Sequence, residues 1–261
     1  GQARGVLPQV EYGFRSDGWS GAPWHVQRLE GLEELSSPYR FVLDLIVDDL
    51  GSSVDAMFGR GCELTIGRQG VGRSVCGIVL QIEDLGVVGT RHLVRLVVGP
   101  ALTLLGQQVD SRAWQDRSVP EIVEEVLKDG LSPYHRQVRL ELASQDYPKR
   151  EYCTQFRESD LGFVSRLLEE EGISYYFEHE AGAEVMVLVD HNARFPLLSS
   201  KVESDAVPIL DIEVETAGLE SVQSFVWTRR MQSTSVVQSD FDFVRPEAPQ
   251  VYAEPGGDEE G

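Results

Sequence analysis

The sequence predicts an α+β fold that is mainly β, on the basis of three observations. Apolar residues alternate at period two through most of the first 110 residues, which is the pattern of half-buried strands. The period then changes to the spacing of amphipathic helices in two segments, near residues 118–130 and 159–171. Short strand-like runs return after about Lys201: ILDIEV, SVQSFVWTR and STSVVQ. The expected order is therefore strands, a helical region and strands again.

Three alternating runs define the first strand region: RFVLDLIV, VCGIVLQI and RHLVRLVV. Each run places four side chains on one face: Phe41, Leu43, Leu45 and Val47; Cys76, Ile78, Leu80 and Ile82; His92, Val94, Leu96 and Val98. Glycine-rich and polar turns separate the runs, and several strands with such turns predict a sandwich or a small barrel. A barrel has the advantage that it removes exposed strand edges.

The first helix is expected in SVPEIVEEVLKDG, which carries start and stop signals. Ser118 is the expected N-cap, and Glu121 lies at the position that completes a capping box. The apolar face consists of Ile122, Val123, Val126 and Leu127. On the polar face, Glu124 is spaced to pair with Lys128. Gly130 is expected to close the helix in a left-handed conformation.

The second helix is expected inside residues 150–180, REYCTQFRESDLGFVSRLLEEEGISYYFEHE, between two strands. Ser159 or Asp160 can cap it, and Gly172 ends it. Its apolar stripe is formed by Leu161, Phe163, Val164, Leu167 and Leu168. The polar side and the end of this helix carry three consecutive glutamates, residues 169–171, which we interpret as solvated rather than catalytic.

The run ISYYFEH, which follows the second helix, is expected to be a strand. Ile173, Tyr175 and Phe177 alternate onto one face, and Tyr176 and Glu178 lie on the other. EVMVLVD is the expected partner strand, so the helix can cover one face of a hairpin. Tyr176 and Glu178 are the candidate protein-interface residues, since they face away from the expected core; the alternative is that Tyr176 faces only water.

Charge and cysteine usage exclude several classes of protein. With 43 acidic and 23 basic residues, the formal net charge of −20 repels phosphate backbones, so we do not expect a nucleic-acid partner. Cys62, Cys76 and Cys153 are widely spaced, which fits neither a disulfide framework nor a zinc site. No run approaches the length of a membrane-spanning helix. The first ten residues lack the apolar core of a signal peptide, so any export is expected without a cleaved leader.

The sequence contains no motif that predicts catalysis. GRQGVGRS, residues 67–74, is close to a phosphate-binding loop, but Arg73 replaces the lysine and a strand pattern follows where that loop needs a helix. The oxygen-bearing side chains of residues 48–55 do not have the spacing of a calcium loop. The five histidines are scattered singly. We therefore predict no catalytic, cofactor-binding or metal-binding residues, no cofactor and no enzymatic activity.

Two segments resemble a known family. QDRSVPEIVEEVLKDGL and YCTQFRESDLGFVSRLLEEEGISYYFEH are similar to the signature of VgrG proteins, the spike of the type VI secretion system. YRFVLDLIV, CGIVLQIEDLG and RHLVRLVVGPALTLLGQQVDSR follow the family's order, so the resemblance covers about residues 12–255, and residues 150–179 are its most specific part. The chain departs from many relatives at VGPALTLLG, where they have a tryptophan-rich run. VYAEPGGDEEG looks like a linker found inside the family's hub module.

The resemblance implies a non-enzymatic baseplate-hub module with two β-barrel domains like the tube protein Hcp and a helix-and-hairpin region outside them. Residues 1–110 would be the first barrel, residues 111–200 the outer region, and residues 201–261 the start of a second, incomplete barrel with a linker. A homotrimer would place six barrels in a ring and so adapt a sixfold Hcp tube to a threefold spike.

The same resemblance implies the Hcp tube, baseplate proteins and effector cargo as partners. Such a protein is assembled in the bacterial cytoplasm and exported to the exterior or into a target cell, where it punctures the membrane rather than integrating into it. Two alternatives stay open: the baseplate hub of a phage tail or an extracellular injection machine, and a delivery platform for an enzymatic effector domain that these residues do not contain.

Overall fold

A computed structural model describes residues 10–49, 51–68, 71–144, 146–180, 182–196, 222, 224–228, 235–240 and 250–255. The chain divides into two compact units, residues 1–199 and 200–261. The described part of the first unit contains these strands and helices: β1 (Val10–Ser16), β2 (His25–Leu32), β3 (Arg40–Val47), β4 (Gly61–Arg68), β5 (Val71–Val88), β6 (Arg91–Gly99), β7 (Val109–Ser118), α1 (Val119–Leu131), β8 (Gln137–Glu141), β9 (Lys149–Ser159), α2 (Asp160–Glu170), β10 (Ser174–Glu180) and β11 (Ala183–Val189).

The first six strands form one antiparallel sheet in the order β1–β4–β5–β6–β3–β2. β5 is 18 residues long and pairs with β4 along its first part and with β6 along its second part. The sheet curls into a half-barrel, because the two edge strands β1 and β2 approach each other. The prediction of a mainly β fold with barrel-like strand packing is confirmed.

The alternation in β3 and β6 is confirmed by burial: Phe41, Leu43, Leu45, Val47, Val94, Leu96 and Val98 all lie in the core of the half-barrel. The single face predicted for β5 is wrong at Ile82. Ile78 and Leu80 belong to a second core around the helices, whereas Ile82 packs against the half-barrel core. The strand register shifts between Val79 and Gln81, and the extra residue of such a bulge reverses the alternation.

Helix α1 forms where its pattern predicts, and its cap is confirmed. The Glu121 carboxylate accepts hydrogen bonds from the backbone N–H of Ser118 at 2.8 Å and from its hydroxyl at 3.0 Å. Those hydrogen bonds hold the pKa of Glu121 below its usual range. Glu124 pairs with Lys128 at 2.7 Å on the polar face. All four predicted apolar residues are buried.

The left-handed ending predicted at Gly130 is wrong. Gly130 lies within α1, is buried, and the helix continues to Leu131. A β-carbon at this position would come within 2.9 Å of Leu105, which lies in the 3-10 helix Ala101–Gly106. The glycine therefore allows two segments to pack closely, and the left-handed residue that follows is His135, with a φ of 55°.

Helix α2 and the hairpin after it also form as predicted. Ser159 is the N-cap and its side chain accepts from the N–H of Gly162 at 3.1 Å, while Gly172 turns the chain with a φ of 66°. β10 pairs with β11, which in turn pairs in parallel with β8. Apolar residues of both helices and of this sheet share one buried core, so α2 covers the hairpin face that carries Tyr175.

A two-stranded ribbon formed by β7 and β9 completes the helix-and-hairpin region, the name used below for α1, α2 and strands β7–β11. The second core also contains Ala101, Leu102 and Leu105, from the segment VGPALTLLG. The half-barrel and the helix-and-hairpin region lie in the same compact unit.

In the second unit, strands β12 (Ser235–Asp240) and β13 (Gln250–Pro255) pair in antiparallel fashion. β12 agrees with the strand predicted in STSVVQ. Residues 251–255 were expected to belong to a linker but lie in β13, because they pair with β12. The strand predicted in ILDIEV lies outside the described residues, and residues 224–228 of SVQSFVWTR have no regular secondary structure.

Candidate functional site

The two predicted interface residues, Tyr176 and Glu178, lie next to each other in the three-stranded sheet. The Tyr176 hydroxyl donates to Glu178 Oε1 at 3.1 Å, and Arg139 on β8 donates to Glu178 Oε2. Both side chains are half-buried. The Tyr176 ring also contacts Phe195, with 5.7 Å between centroids. The structure therefore brings the two predicted residues together, but in a network within the chain.

Arg139 is the centre of this network. It also pairs with Glu141 at 2.9 Å and with Glu180 at 3.3 Å. Hydrogen bonding to Glu178 raises the pKa of Arg139, whereas burial raises the pKa of Tyr176 to about 12. Burial opposes ionisation of Glu178, yet its hydrogen bond with Arg139 brings the pKa of the carboxyl below its usual range. The result is a charged ridge with one cation among three carboxylates.

A more exposed aromatic surface lies on the β7–β9 ribbon. Tyr152 is 65% exposed and Phe156 is 69% exposed on β9. The guanidinium of Arg157 lies over the Phe156 ring at 5.4 Å, and Gln115 donates to the Tyr152 hydroxyl at 3.3 Å. We call the surface formed by Tyr152, Phe156, Arg157 and Gln115 the ribbon face. Exposed aromatic side chains beside arginine are the composition that protein interfaces favour.

In the sequence, Tyr152 and Phe156 are two of six crowded aromatic residues that could form a binding patch, with about half of the six expected in the core; the pattern does not single out the ribbon face. Tyr152 and Phe156 alternate with Cys153 and Gln155, which are buried, so the strand pattern separates the two faces. Alternation does not say which of the two faces is buried, because both contain bulky or polar residues. The contact of Trp114 with the stacked ring of Phe163, 5.1 Å away, places the Cys153 side of the ribbon against the helices.

The residues whose sequence patterns most resembled chemical sites lie in strands or form ion pairs within the chain. Within residues 67–74, Gly67 and Arg68 end β4 and residues 71–74 begin β5, so a strand lies where a phosphate-binding loop would need a helix, as predicted. Arg73 forms an ion pair with Glu33. The three glutamates at the end of α2 are also accounted for: Glu170 and Glu171 both pair with Arg150 at 2.7 Å, and Glu169 is exposed. This arrangement neutralises charge on the helix end and leaves no pair of enclosed carboxylates there.

Asp49, in the stretch considered for calcium, caps a turn. Its carboxylate accepts from the N–H of Gly51 at 2.7 Å and from the Ser52 hydroxyl at 2.9 Å. Among the described residues, no group of three or more histidine, cysteine or acidic side chains is placed to hold a metal ion. The three cysteines are buried free thiols.

The cavities in the described part of the chain are shallow. A depression of about 450 Å³ lies beside Arg112, Trp114 and Glu125, and it is open to solvent. A second one of about 250 Å³ is lined in part by Asp190, whose carboxylate already accepts from Tyr147 at 2.8 Å. Neither has the enclosed apolar lining of a small-molecule site. Within the described residues, no helix is both long and apolar enough to cross a bilayer.

Buried polar contacts join the half-barrel to the helix-and-hairpin region. Glu184 on β11 accepts from Arg136 at 2.5 Å and from the N–H of Ala101 at 2.9 Å, and Arg136 also donates to the carbonyl of Gly77 on β5 at 3.3 Å. Ser36, with a φ of 57°, donates its N–H to the carbonyl of Tyr175 at 2.8 Å. These contacts fix the orientation of the two regions.

Comparison with known proteins gives a consistent result. A family model described as phage tail baseplate hub (GPD) matches residues 32–260. Among curated proteins, the chain is 32% identical over 225 residues to the type VI secretion system spike protein VgrG1b and 35% identical over 226 residues to VgrG5, both of Pseudomonas aeruginosa. Each alignment covers 85% of this chain but 29% and 27% of those relatives, so the chain spans less than a third of their length.

A solved structure shares the fold. It is an E. coli component of the type VI secretion system, described as structurally similar to the T4 bacteriophage tail proteins gp27 and gp5. The TM-score is 0.60 at 21% sequence identity, and the match covers 92% of this chain and 55% of that one. The VgrG resemblance found in the sequence is confirmed.

Proposed function

This chain belongs to the phage tail baseplate hub (GPD) family, and we propose that it is the structural hub of a spike in a contractile injection machine. The family match over residues 32–260 carries the proposal. The similarity to spike proteins of the type VI secretion system, at 32% and 35% identity, favours that machine. The protein contributes shape, stiffness and contacts, and we expect no catalytic turnover.

In this proposal, three copies assemble and adapt a sixfold Hcp tube to a threefold spike. A ring of six similar barrels satisfies both symmetries when each chain supplies two of them. Residues 1–110 form the first barrel, residues 111–200 the outer region, and residues 201–261 begin the second barrel. The half-barrel of β1–β6 and the helices with their hairpin support the first two assignments. The trimer assembles in the bacterial cytoplasm with baseplate proteins and effector cargo, and leaves with the tube through a target membrane.

We propose that two surfaces of the chain form the contacts of this assembly. The ribbon face is the first, because Tyr152 and Phe156 are large, aromatic and mostly exposed. The ridge of Tyr176 and Glu178 around Arg139 is the second, since its charges are already arranged and its carboxylates outnumber its cation. In both cases we expect the partner to be a neighbouring copy of the chain.

Analytical ultracentrifugation of the full-length protein, alone and mixed with Hcp, tests the proposal. We expect a trimer that sediments together with Hcp. The variant Tyr152→Ser/Phe156→Ser tests the ribbon face, and Phe58→Ser is its matched control, because Phe58 is 62% exposed on a loop of the half-barrel. A stable monomer that never joins Hcp contradicts the proposal itself. If Phe58→Ser loses the trimer and Tyr152→Ser/Phe156→Ser does not, the ribbon face is not the contact surface, but the proposed assembly still stands.

The charged ridge is tested by Tyr176→Phe and Glu178→Gln, with circular dichroism to check the fold. These changes remove a hydroxyl and a charge but keep the side-chain shape. A normal fold with lost assembly supports an interface role. An unfolded variant, or a normal assembly of a folded one, shows that Tyr176 and Glu178 serve the stability of the sheet instead.

A phage-tail or extracellular injection hub is the second candidate function, favoured by the description of the matched family. Both machines use the same symmetry adaptation, so the neighbouring genes distinguish them. Assays for hydrolase activity and nucleotide binding test the expected lack of turnover, and we expect both to be blank. A saturable activity that is abolished by Arg73→Ala would contradict the interpretation of residues 67–74 as a turn.

A further inference from the structure

On β5, the backbone N–H and carbonyl of Cys76 form no hydrogen bond with a neighbouring strand. Cys76 is opposite Glu63 of β4, and the pairing with β6 begins only at Ile78. The N–H of Cys76 donates to Nδ1 of His179 at 3.1 Å, and its carbonyl accepts from the Tyr39 hydroxyl. In an antiparallel pair, every second residue directs both backbone groups away from its partner. Side chains therefore complete the hydrogen bonding of β5 at this buried position.

His179 comes from the other region of the molecule, on β10. Its ring lies edge-on to Tyr39, with 5.4 Å between centroids, and the hydrogen bond to Cys76 joins residues 103 positions apart. We propose that His179 is a proton-sensitive latch that holds the β10–β11 hairpin against the half-barrel. A neutral imidazole can accept a hydrogen bond at Nδ1, but a protonated imidazole carries hydrogens on both nitrogens and cannot.

The charged and titratable groups around His179 come from several elements. From the half-barrel side, Arg73 and Cys76 lie on β5, Tyr39 lies next to β3, and Glu33 follows β2 and pairs with Arg73. Across the hairpin, Glu184 is opposite His179, but its carboxylate is already engaged by Arg136. Burial, followed by the charge of Arg73, lowers the pKa of His179, and Glu33 opposes that effect only in part. The hydrogen bond from the Cys76 N–H is accepted only by the neutral ring, so it also favours the neutral form.

The sign of the pH effect follows from this environment. Because the pKa is lower in the folded protein than in an opened hairpin, the opened form binds the proton more readily. The latch is complete above the ordinary histidine pKa of about 6.5 and weakens as the pH falls from there through the folded-state value. In that interval, the equilibrium for opening rises by up to about tenfold for each pH unit. Protonation thus removes one of the contacts that hold the hairpin against the half-barrel and leaves the N–H of Cys76 without its acceptor.

Hydrogen exchange measured by NMR on the 261-residue chain tests the latch. Rates are compared between pH 7.5 and pH 5, after correction for the intrinsic pH dependence of exchange. We expect opening at the amides of Cys76 and β10 to increase by up to about tenfold per pH unit below 6.5. The amide of Leu96, in the half-barrel core, is the internal reference and should change much less.

The variant His179→Gln keeps a side-chain acceptor but cannot titrate, so its exchange at Cys76 should be independent of pH after the same correction. His25→Gln is the matched control, since His25 is exposed on β2, and it should behave like the natural chain. A flat profile in the natural chain overturns the proposal, as does an unchanged profile in His179→Gln.

If His179→Gln does not fold, an NMR titration of the His179 imidazole in the natural chain tests the proposal instead. The titration should have a midpoint below the ordinary histidine value, and the Cys76 amide resonance should move with the same midpoint. A midpoint at or above the ordinary value, or a Cys76 amide that does not move, overturns the latch. The outcome does not depend on the proposed assembly, because every measurement is made within one chain.

Discussion

The half-barrel and the helix-and-hairpin region have cores of similar apolar character but satisfy their buried polar groups differently. In the half-barrel, six strands pair side by side and supply most hydrogen bonds from the backbone. The helix-and-hairpin region uses sheets of two and three strands, and side chains complete what these short sheets leave unpaired. Among the described residues, the buried polar side chains are Ser16 in the half-barrel and Gln155, Asp160 and Glu184 in the other region.

This difference shows where each region is sensitive to substitution. Except at Cys76 of β5, the strands of the large sheet pair through their backbones, so this region depends mainly on the apolar volume of its core. The smaller sheets also depend on individual polar side chains, such as Gln155, which donates to Asp160 at 2.7 Å while accepting from Arg112 at 2.9 Å. An unpaired buried polar group is costly, so these side chains cannot be removed singly without a penalty.

Truncation of the two cores gives the largest expected effect. Phe163 is fully buried and stacks on Trp114, so Phe163→Ala is expected to lower the free energy of unfolding by about 3–5 kcal/mol. Leu43→Ala in the half-barrel is expected to cost about 2–5 kcal/mol. Urea unfolding followed by circular dichroism and tryptophan fluorescence measures both. We expect one coincident transition in each variant; two separate transitions would show that the regions fold independently.

Arg136→Met tests the dependence on buried polar side chains. The change leaves the carboxylate of Glu184, which is 3% exposed, without its cation, and we expect a loss of about 3–5 kcal/mol in urea unfolding. Arg15→Met removes an exposed ion pair of the half-barrel, and its midpoint should not shift measurably. Adding Glu184→Gln to Arg136→Met should recover part of the loss. An equal loss of stability in the two arginine variants would contradict the greater dependence of the helix-and-hairpin region on buried polar side chains.

Gly130→Ala tests the close packing of α1 against the 3-10 helix. Alanine in place of an exposed helical glycine usually gains about 1 kcal/mol, but here the new β-carbon would lie 2.9 Å from Leu105. We therefore expect a loss of about 1–3 kcal/mol in thermal or urea unfolding. Gly162→Ala, on the exposed side of α2, is the matched control; its new β-carbon would meet only the Ser159 Oγ, at 3.1 Å, so we expect a smaller change than at Gly130. A gain at Gly130 would show that Leu105 yields easily.

The smallest expected effect is at the helix caps. Ser118→Ala and Ser159→Ala should each lower stability by about 1 kcal/mol, seen as a lower thermal midpoint. Ser118→Ala should also reduce the pH dependence that Glu121 contributes. The pKa of that carboxyl is lower in the folded state, so its stabilisation is present above the ordinary glutamate pKa and is lost as the pH falls through the folded value. An unchanged pH profile would contradict this role for the cap.

Features that depend only on neighbours within a turn or two could be predicted from the amino-acid sequence. The caps at Ser118 and Ser159, the apolar stripes of both helices and the alternation of β3, β6 and β10 rest on local spacing, and each appears in the structure. The strings around both helices also carried the resemblance to the spike family, since a long continuous match is far more specific than any periodicity.

Tertiary structure alone decided the features whose partners are distant in the chain. Gly130 lies in a helix rather than ending it, because Leu105 packs against it. Likewise, the bulge in β5 reassigned Ile82 to the half-barrel. The choice of exposed ribbon surface and the contact of His179 with Cys76 also arise only when separate elements meet. Alternation and caps are set by the geometry of a few consecutive residues, whereas the buried face and the hydrogen-bond partner depend on which elements pack together.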